Sequence, residues 1–301
     1  MFTHDSVGAD NSTVAVGDQR TPGRTVGGME TNARKTEQMT RPEFEAAILD
    51  LDGTVYRGGQ LLDGAAGSVD LLREAGTEVL FLTNKAIARR RDYSEKLTKL
   101  GIATDVDDVI NSGWVTARYA AKRYPDRTAL VIGEAPLVEE LRSAGIETTT
   151  TTPGDILVVS MDREFSYEKL DLAHRTLGEG VPFLATNPDR TCPTENGAVP
   201  DAAGMIGAVE GVTDRSVDAM LGKPSATMLE TALAEVGSDP ADCLVVGDRL
   251  ETDILMGERA GMTTALVLTG VTDRETVETA DVSPDYVLDS LGDIETVFSG
   301  K

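Results

Sequence analysis

Seven short apolar runs, each set off from the next by a longer, more polar stretch, constrain this chain more than any other feature. They are 46–49, Val79-Leu80-Phe81-Leu82, Ala129-Leu130-Val131-Ile132, Ile156-Leu157-Val158-Val159, Phe183-Leu184-Ala185, Leu244-Val245-Val246 and Ala265-Leu266-Val267-Leu268. Most are too short for helices and rich in β-branched residues, so they read as buried strands. Helical stretches are expected between them over 65–75, with Leu71 and Leu72 on the apolar face, and over 86–100 and 225–236. Such alternation predicts an α/β fold, a parallel sheet covered by helices. Gly-bearing turns at Thr152-Pro153-Gly154-Asp155 and Glu195-Asn196-Gly197-Ala198 punctuate the middle, the second reading as a hairpin.

Composition narrows the function. The chain has 301 residues and a net charge of −23, with 51 acidic against 28 basic residues. Twenty of the basic residues are arginine and eight are lysine. A field this negative repels nucleic acid and anionic membranes, and a phosphate site within it needs a local cation. Acid-rich, lysine-poor composition fits a halophilic cytoplasm, where counterions screen self-repulsion. No apolar run has membrane-spanning length and the first thirty residues lack a signal-peptide core, so the expected location is cytoplasmic. Cys192 and Cys243 form neither a disulfide framework nor a metal-ligand spacing, and Cys243 reads as a core residue. With only His4 and His174, histidine-rich zinc chemistry is excluded. Asp105-Val106-Asp107-Asp108 lacks the spacing and glycine of a calcium loop and reads as a solvated turn.

Residues 1–38 are polar and aperiodic and are expected to be a disordered leader. Met39 is then a candidate initiator, and Asn11-Ser12-Thr13 a chance glycosylation pattern. Residues 116–215 hold at least three strands of their own between two groups of site-like residues, which suggests a domain inserted into a host fold of 39–115 and 216–301. Neither a dinucleotide-binding nor a P-loop glycine pattern occurs.

The chemistry is carried by strand ends. Ala46-Ala47-Ile48-Leu49 runs into Asp50-Leu51-Asp52-Gly53-Thr54, which places two carboxylates at the carboxyl edge of the sheet. Phe81-Leu82 leads into Thr83-Asn84, and Val245-Val246-Gly247 into Asp248, with Asp253 five residues on. Gly222-Lys223-Pro224 sets a lysine just ahead of a helical stretch. Phosphoryl transfer explains the set. One carboxylate can form an acyl phosphate and a second can protonate the departing alcohol and then activate water. Mg²⁺ suits an oxygen-only site, and a lysine with hydroxyl and amide donors can hold the phosphoryl oxygens.

These motifs, in this order, are similar to the four motifs of the haloacid dehalogenase-like superfamily. Together with Gly133-Glu134 and Ala185-Thr186-Asn187-Pro188-Asp189, they resemble its class IIA, NagD and 4-nitrophenylphosphatase-like family over about residues 44–290. The resemblance implies a Rossmann-like core with a large α/β cap inserted between the second and third motifs. It implies Asp50 as nucleophile and Asp52 as general acid and base, with Mg²⁺ held by Asp50, Asp248 and the backbone carbonyl of Asp52. Thr83, Asn84 and Lys223 would bind the phosphoryl group, and Asp253 would orient the metal waters or Lys223. Asn187 and Asp189 of the cap would face the site and help choose the leaving group.

The implied activity is hydrolysis of small phosphate monoesters: sugar phosphates, nucleoside monophosphates or phosphoglycolate, with 4-nitrophenyl phosphate as a test substrate. Dehalogenation is disfavoured because those enzymes use no metal and lack a second carboxylate. A P-type pump is excluded by the missing membrane helices. A phosphomutase and a catalytically idle binding homologue are the remaining alternatives. Caps in the family often take part in dimer contacts, which leaves a homodimer open.

One position departs from the family, which usually reads Thr-Asn-Asn where this chain has Thr83-Asn84-Lys85. Lys85 either adds positive charge near the phosphate or points to solvent at the start of the next helix, the second being slightly favoured. His174 is expected at the surface or in packing, Trp114 and Tyr119 as core or interface anchors, and Met205 and Met220 as core fillers.

Overall fold

A computed structural model describes residues 44–194 and 197–298. The expectations for the leader, for Met39 and for Asn11-Ser12-Thr13 lie outside those residues.

Two parallel sheets organise the chain. The first holds six strands: β1 (Ala46–Leu49), β4 (Glu78–Thr83), β5 (Val109–Asn111), β13 (Cys243–Gly247), β14 (Thr263–Val267) and β15 (Tyr286–Leu288), in the order β15-β14-β13-β1-β4-β5. The second holds β6 (Ala129–Ile132), β7 (Thr148–Thr149), β8 (Ile156–Val159), β9 (Phe183–Ala185) and β12 (Ala219–Met220), in the order β12-β9-β8-β6-β7. Two antiparallel hairpins complete the strands: β2 (Tyr56–Arg57) with β3 (Gln60–Leu61), and β10 (Thr191–Thr194) with β11 (Gly197–Pro200). Glu195 and Asn196 of the expected second turn lie outside the described residues, and Thr194 pairs with Gly197 across it.

Every strand of the second sheet lies in sequence between β5 and β13. Its last strand, Ala219–Met220, falls a few residues beyond the expected inserted segment 116–215 and pairs with β9.

Burial on both faces explains the uninterrupted apolar runs. In β1 successive side chains alternate between faces. Ala46 and Ile48 pack with Leu80, Leu82 and Val245 on one side, whereas Ala47 and Leu49 pack with Val79, Phe81 and Val246 on the other. The first of these clusters continues into Val131, Ile156 and Val158 of the second sheet. The opposite face of that sheet packs Leu130, Leu157 and Phe183 together.

The strand order fixes where a site can form. Starting from β1, the chain moves outward to β4 and β5 on one side, then returns to build β13, β14 and β15 on the other. Neighbouring strands diverge at that reversal, and ligands of open α/β sheets bind beyond their carboxyl ends there. Leu49 pairs with both Val246 and Phe81, so the residues following β1, β13 and β4 emerge side by side.

Two helix boundaries bear on the site. Ser225 caps the helix Ala226–Val236 by accepting from the Met228 amide at 3.2 Å, which fixes the chain just after Lys223. The helix expected over 86–100 runs instead from Arg90 to Lys99. Asp92 accepts from the Arg89 amide at 2.8 Å and sets its first turn, so Lys85 lies in a loop ahead of the helix.

Other local readings can be placed directly. Cys243 is fully buried in β13, His174 is exposed, and Trp114, Tyr119, Met205 and Met220 are partly buried against apolar clusters. Asp105–Asp108 forms a turn in which Asp108 accepts from the Asp105 amide. Among the described residues, no helix is long and apolar enough to cross a membrane.

Candidate active site

Asp50 is the first residue beyond β1, and its amide extends the ladder by donating to the Val246 carbonyl at 2.9 Å. Thr83 ends β4, Asn84 follows it, and Asp248 follows β13. Asp253 comes from a wide π-helical turn, Leu250–Ile254, directly after the same strand. Turns of that kind recur at functional sites because they re-aim a side chain. Here the turn lays Asp253 against Gly247, where a β-carbon would collide with it. Gly53 serves the first motif similarly. Its φ is +97°, and a β-carbon there would sit 2.6 Å from Asp248 Oδ2. Glycine therefore lets the Asp50–Thr54 loop close onto Asp248.

Lys223 ties these pieces together. Its ammonium lies 2.5 Å from Asp50 Oδ1 and 2.6 Å from Asp253 Oδ1, and it donates to the Leu82 carbonyl at 3.1 Å. All three of its protons thus have an acceptor, which makes a lysine side chain only 3% exposed tolerable. Burial opposes the charged form, but Asp253 and Asp50 outweigh it and raise the Lys223 pKa, so the cation is retained. Asn84, expected to hold phosphate, lines the cavity and also engages the Lys223 backbone through its amide. Oδ1 accepts from the Lys223 amide at 2.7 Å and Nδ2 donates to the Lys223 carbonyl at 3.2 Å. Asn84 therefore positions the lysine. The Thr83 hydroxyl accepts from the Lys85 amide at 3.2 Å, which leaves its own proton to donate.

Asp50 and Asp248 resist ionisation. Burial foremost holds Asp50 well above the ordinary carboxylate range; Lys223 pulls it down, while Asp253 and Asp248 push it up. Asp248 is pushed up to about 7, by burial first and then by the charge on Asp253. Its Oδ2 accepts from the Val271 amide at 2.7 Å. Groups whose neutral form is favoured this strongly favour a bound cation in place of protons.

Asp52 has a cation of its own. Lys85 Nζ lies 2.7 Å from Asp52 Oδ1, with the two side chains 15% and 12% exposed. The expectation that Lys85 points to solvent is therefore corrected: outside the helix, its side chain turns inward onto the second carboxylate. Burial disfavours the Lys85 ammonium, but Asp52 and the neighbouring Cys192 more than offset it, and its pKa is raised. Lys96 lies over the Tyr56 ring at 3.3 Å, beneath the same loop.

The hairpin β10–β11 and the residues flanking it supply the far wall. Asp189, Cys192, Pro193 and Asp201 face Asp50, Asp52, Lys85 and Lys223 across a cavity of about 30 Å³, room for little more than water. Of the two residues expected to face the site from this side, Asp189 lines the cavity and Asn187 stands behind it. The Asn187 amide donates to Asp189 and to Asp201, each at 3.2 Å, and is 1% exposed. Arg249 reaches over from the motif after β13, donating to the Thr191 carbonyl at 2.7 Å and approaching Asp189 at 3.8 Å.

Comparison with known proteins agrees with this geometry. Residues 47–147 match the family described as haloacid dehalogenase-like hydrolase, and residues 220–294 match the related HAD-hydrolase-like family. The chain is 40% identical over 248 residues to the sugar-phosphatase AraL of Bacillus subtilis, covering 82% of this chain and 90% of that one. The chain belongs to the haloacid dehalogenase-like hydrolases. Within them it falls in the class IIA group of NagD and the 4-nitrophenylphosphatases. The 4-nitrophenylphosphatase of Thermotoga maritima superposes with a TM-score of 0.80 at 33% identity, over 85% of this chain and 97% of that one. The magnesium complex of glycerol phosphate phosphatase from Mycobacterium tuberculosis has a TM-score of 0.76 at 29% identity, over 83% and 75%.

A divalent metal suits the residues present in this haloacid dehalogenase-like hydrolase. Asp50, Asp248 and Asp253 are buried and bring one oxygen each within 4.8 Å of one another, an all-oxygen set of the kind hard cations prefer. Asp253, expected behind the metal, thus belongs to the same carboxylate cluster while also holding Lys223. Lys85, Arg249, Cys192 and Asp201 were not assigned to the site from sequence. Lys85 and Arg249 adjoin motif residues, so adjacency was a usable signal; nothing in the sequence singles out Asp201.

Proposed function

We propose that the protein is a Mg²⁺-dependent phosphatase of small phosphate monoesters, working through an aspartyl phosphate on Asp50. The observation that carries this reading is Lys223 seated between Asp50 and Asp253, with Asp248 beside them at the reversal of strand order.

In the first step an Asp50 oxygen attacks phosphorus, the bond from phosphorus to the alcohol oxygen breaks, and Asp52 gives its proton to that oxygen. In the second, Asp52 takes a proton from water as the water oxygen attacks phosphorus. The acyl-phosphate bond then breaks, and the Asp50 carboxylate and inorganic phosphate are released. Lys223, the Thr83 hydroxyl and Asn84 stabilise the phosphoryl oxygens, with Asn84 also holding Lys223 in place. Asp50, Asp248 and the Asp52 carbonyl would hold Mg²⁺, with Asp253 orienting Lys223 and the metal's waters. The metal supplies positive charge that lets two carboxylates face a phosphate. The magnesium complex of the Mycobacterium tuberculosis relative supports that choice.

The second sheet, with the hairpin β10–β11, is the cap. A phosphate monoester is much larger than the cavity, so admitting it requires the cap to move off the core. Sugar phosphates are the favoured class, supported by the B. subtilis relative's name and by a cap wall of Asp189 and Asp201, which suits hydroxyl groups better than anions. The charge of −23 supports a protein of a salty cytoplasm that binds neither nucleic acid nor anionic membrane.

The test is phosphate release from 4-nitrophenyl phosphate and a panel of natural monoesters in molar KCl, with Mg²⁺ or EDTA. Turnover should require Mg²⁺ and disappear in Asp50→Asn. No turnover by the folded, Mg²⁺-loaded protein would sink the proposal.

A further inference from the structure

The second motif differs from the family's usual Thr-Asn-Asn at one residue, and that residue contacts the carboxylate to which the proposed chemistry gives two proton transfers. Lys85 Nζ is 2.7 Å from Asp52 Oδ1. The other oxygen, Oδ2, is buried with no hydrogen-bond partner among the described residues. The two oxygens of Asp52 are thus unequal: Oδ1 is held by an ammonium, whereas the other neighbour of this carboxylate is the buried Tyr56 phenol.

The anchor is itself held firmly. The Lys85 amide donates to Thr83 Oγ1 at 3.2 Å, and the Lys85 carbonyl accepts from the Tyr93 hydroxyl at 3.3 Å. On the other side the Gly53 amide donates to the Tyr56 carbonyl at 2.8 Å, closing the loop that carries Asp52. Both backbones that meet at the pair are therefore fixed, and the pair lines the same cavity as Asp50 and Lys223. A carboxylate on a turn can rotate about its side-chain bonds, and an ion pair at one oxygen removes that freedom.

We propose that Lys85 is a positioning residue for the leaving-group step: by pinning Asp52 Oδ1 it fixes the orientation of the carboxyl group that hands the proton to the departing alcohol. This rests on the phosphatase reading above. It differs from a phosphate-binding role in its consequences. A cation that bound the phosphoryl group would serve all monoesters equally. In the leaving-group step, a residue that orients the acid matters only where the leaving oxygen needs a proton. An alkoxide leaving a sugar or glycerol phosphate needs one, whereas 4-nitrophenolate departs without it. The activation of water that follows is common to all the esters, so the first step has to be read by itself.

The experiment compares the parent with Lys85→Met, Lys85→Asn and Lys85→Arg on glycerol 3-phosphate, a hexose 6-phosphate and 4-nitrophenyl phosphate, at saturating Mg²⁺. Thermal melts verify folding, and if Lys85→Met does not fold, Lys85→Asn takes its place. In Lys85→Met, the single-turnover rate of alcohol release from the alkyl esters should fall about 10- to 100-fold, a share of what a positioned acid contributes. Single-turnover release of 4-nitrophenolate should stay within about 3-fold, and Lys85→Arg should recover most of the loss on the alkyl esters because it can still reach a carboxylate. Equal losses of this first-step rate on both substrate types, or a raised KM on both with that rate unchanged, would overturn the proposal. A parent that hydrolyses none of the three esters instead overturns the phosphatase reading, and this proposal with it.

Discussion

Lys223 and Lys85 each meet a carboxylate of the Asp50–Thr54 motif, but they are built into the protein differently. Lys223 is 3% exposed, shared by Asp50 and Asp253, and clamped through its backbone by Asn84. Lys85 is 15% exposed, pairs with Asp52 alone, and sits on a loop against the cap-side Cys192. The first arrangement makes the lysine part of the core, where its charge is needed for stability as well as chemistry. The second leaves the lysine at the seam between sheet and cap, where it can affect selectivity at smaller cost to the fold. A charge that several buried groups depend on cannot vary freely, whereas a one-to-one pair at a rim can.

The largest effect is expected at Asp50, the nucleophile that Lys223 holds and Lys85 does not touch. Asp50→Asn removes the attacking oxygen, and phosphate release should fall by at least about 10³-fold on every ester. Residual turnover within tenfold of the parent would mean that another group attacks phosphorus. Lys223→Met comes next: it leaves Asp50 and Asp253 buried without their cation, a loss of about 3–5 kcal/mol for a broken buried pair. Denaturant unfolding with EDTA present measures it, and an unchanged midpoint would show that the lysine is not built into the core as described.

The acid side can be tested by pH. Asp248 has a folded pKa raised to about 7 from an ordinary 3.8, so the folded, metal-free protein binds this proton more tightly than the unfolded chain does. The stability it lends is complete below about pH 4 and is lost as pH rises through 7. A cation must displace that proton, so Mg²⁺ affinity should drop about tenfold per unit as pH falls below about 7. Titration calorimetry between pH 5 and 8 would detect this, and a flat affinity would argue against Asp248 as a ligand. The smallest effect belongs to Lys85→Met, which should cost about 1–3 kcal/mol, since its pair is less buried than that of Lys223 and one carboxylate alone depends on it. A loss matching that of Lys223→Met would erase the distinction between the two lysines.

Strand ends were the most legible part of the chain. Asp50, Thr83, Lys223 and Asp248 stand out because an apolar run followed by a polar residue marks both the strand and its exit, and the structure brings all four together. Short edge strands such as β2, β3, β7 and β12 escape that reading, since two residues carry no periodicity. The helix start at Arg90 was missed because Ala86-Ile87-Ala88 continues an apolar pattern, while the decisive signal is one hydrogen bond from the Arg89 amide to Asp92. Lys85 followed that error: a lysine placed on a helix surface faces water, and one held in a loop can turn inward.

The amino-acid sequence alone determined the alternation of strands and helices, the order of the motifs, and the carboxylates and lysine that the chemistry requires. These are local properties: side-chain periodicity and the residue next to a strand's end depend only on neighbours in the chain. Tertiary structure alone decided which oxygen faces which cation. Asn84 clamps Lys223 across 139 positions, and Asn187 stands behind Asp189 because Asp201, from beyond the hairpin, claims its amide. Such pairings turn on distances of a few tenths of an ångström between distant segments. They are fixed when packing of the two sheets closes the cavity, and no run of neighbouring residues records them.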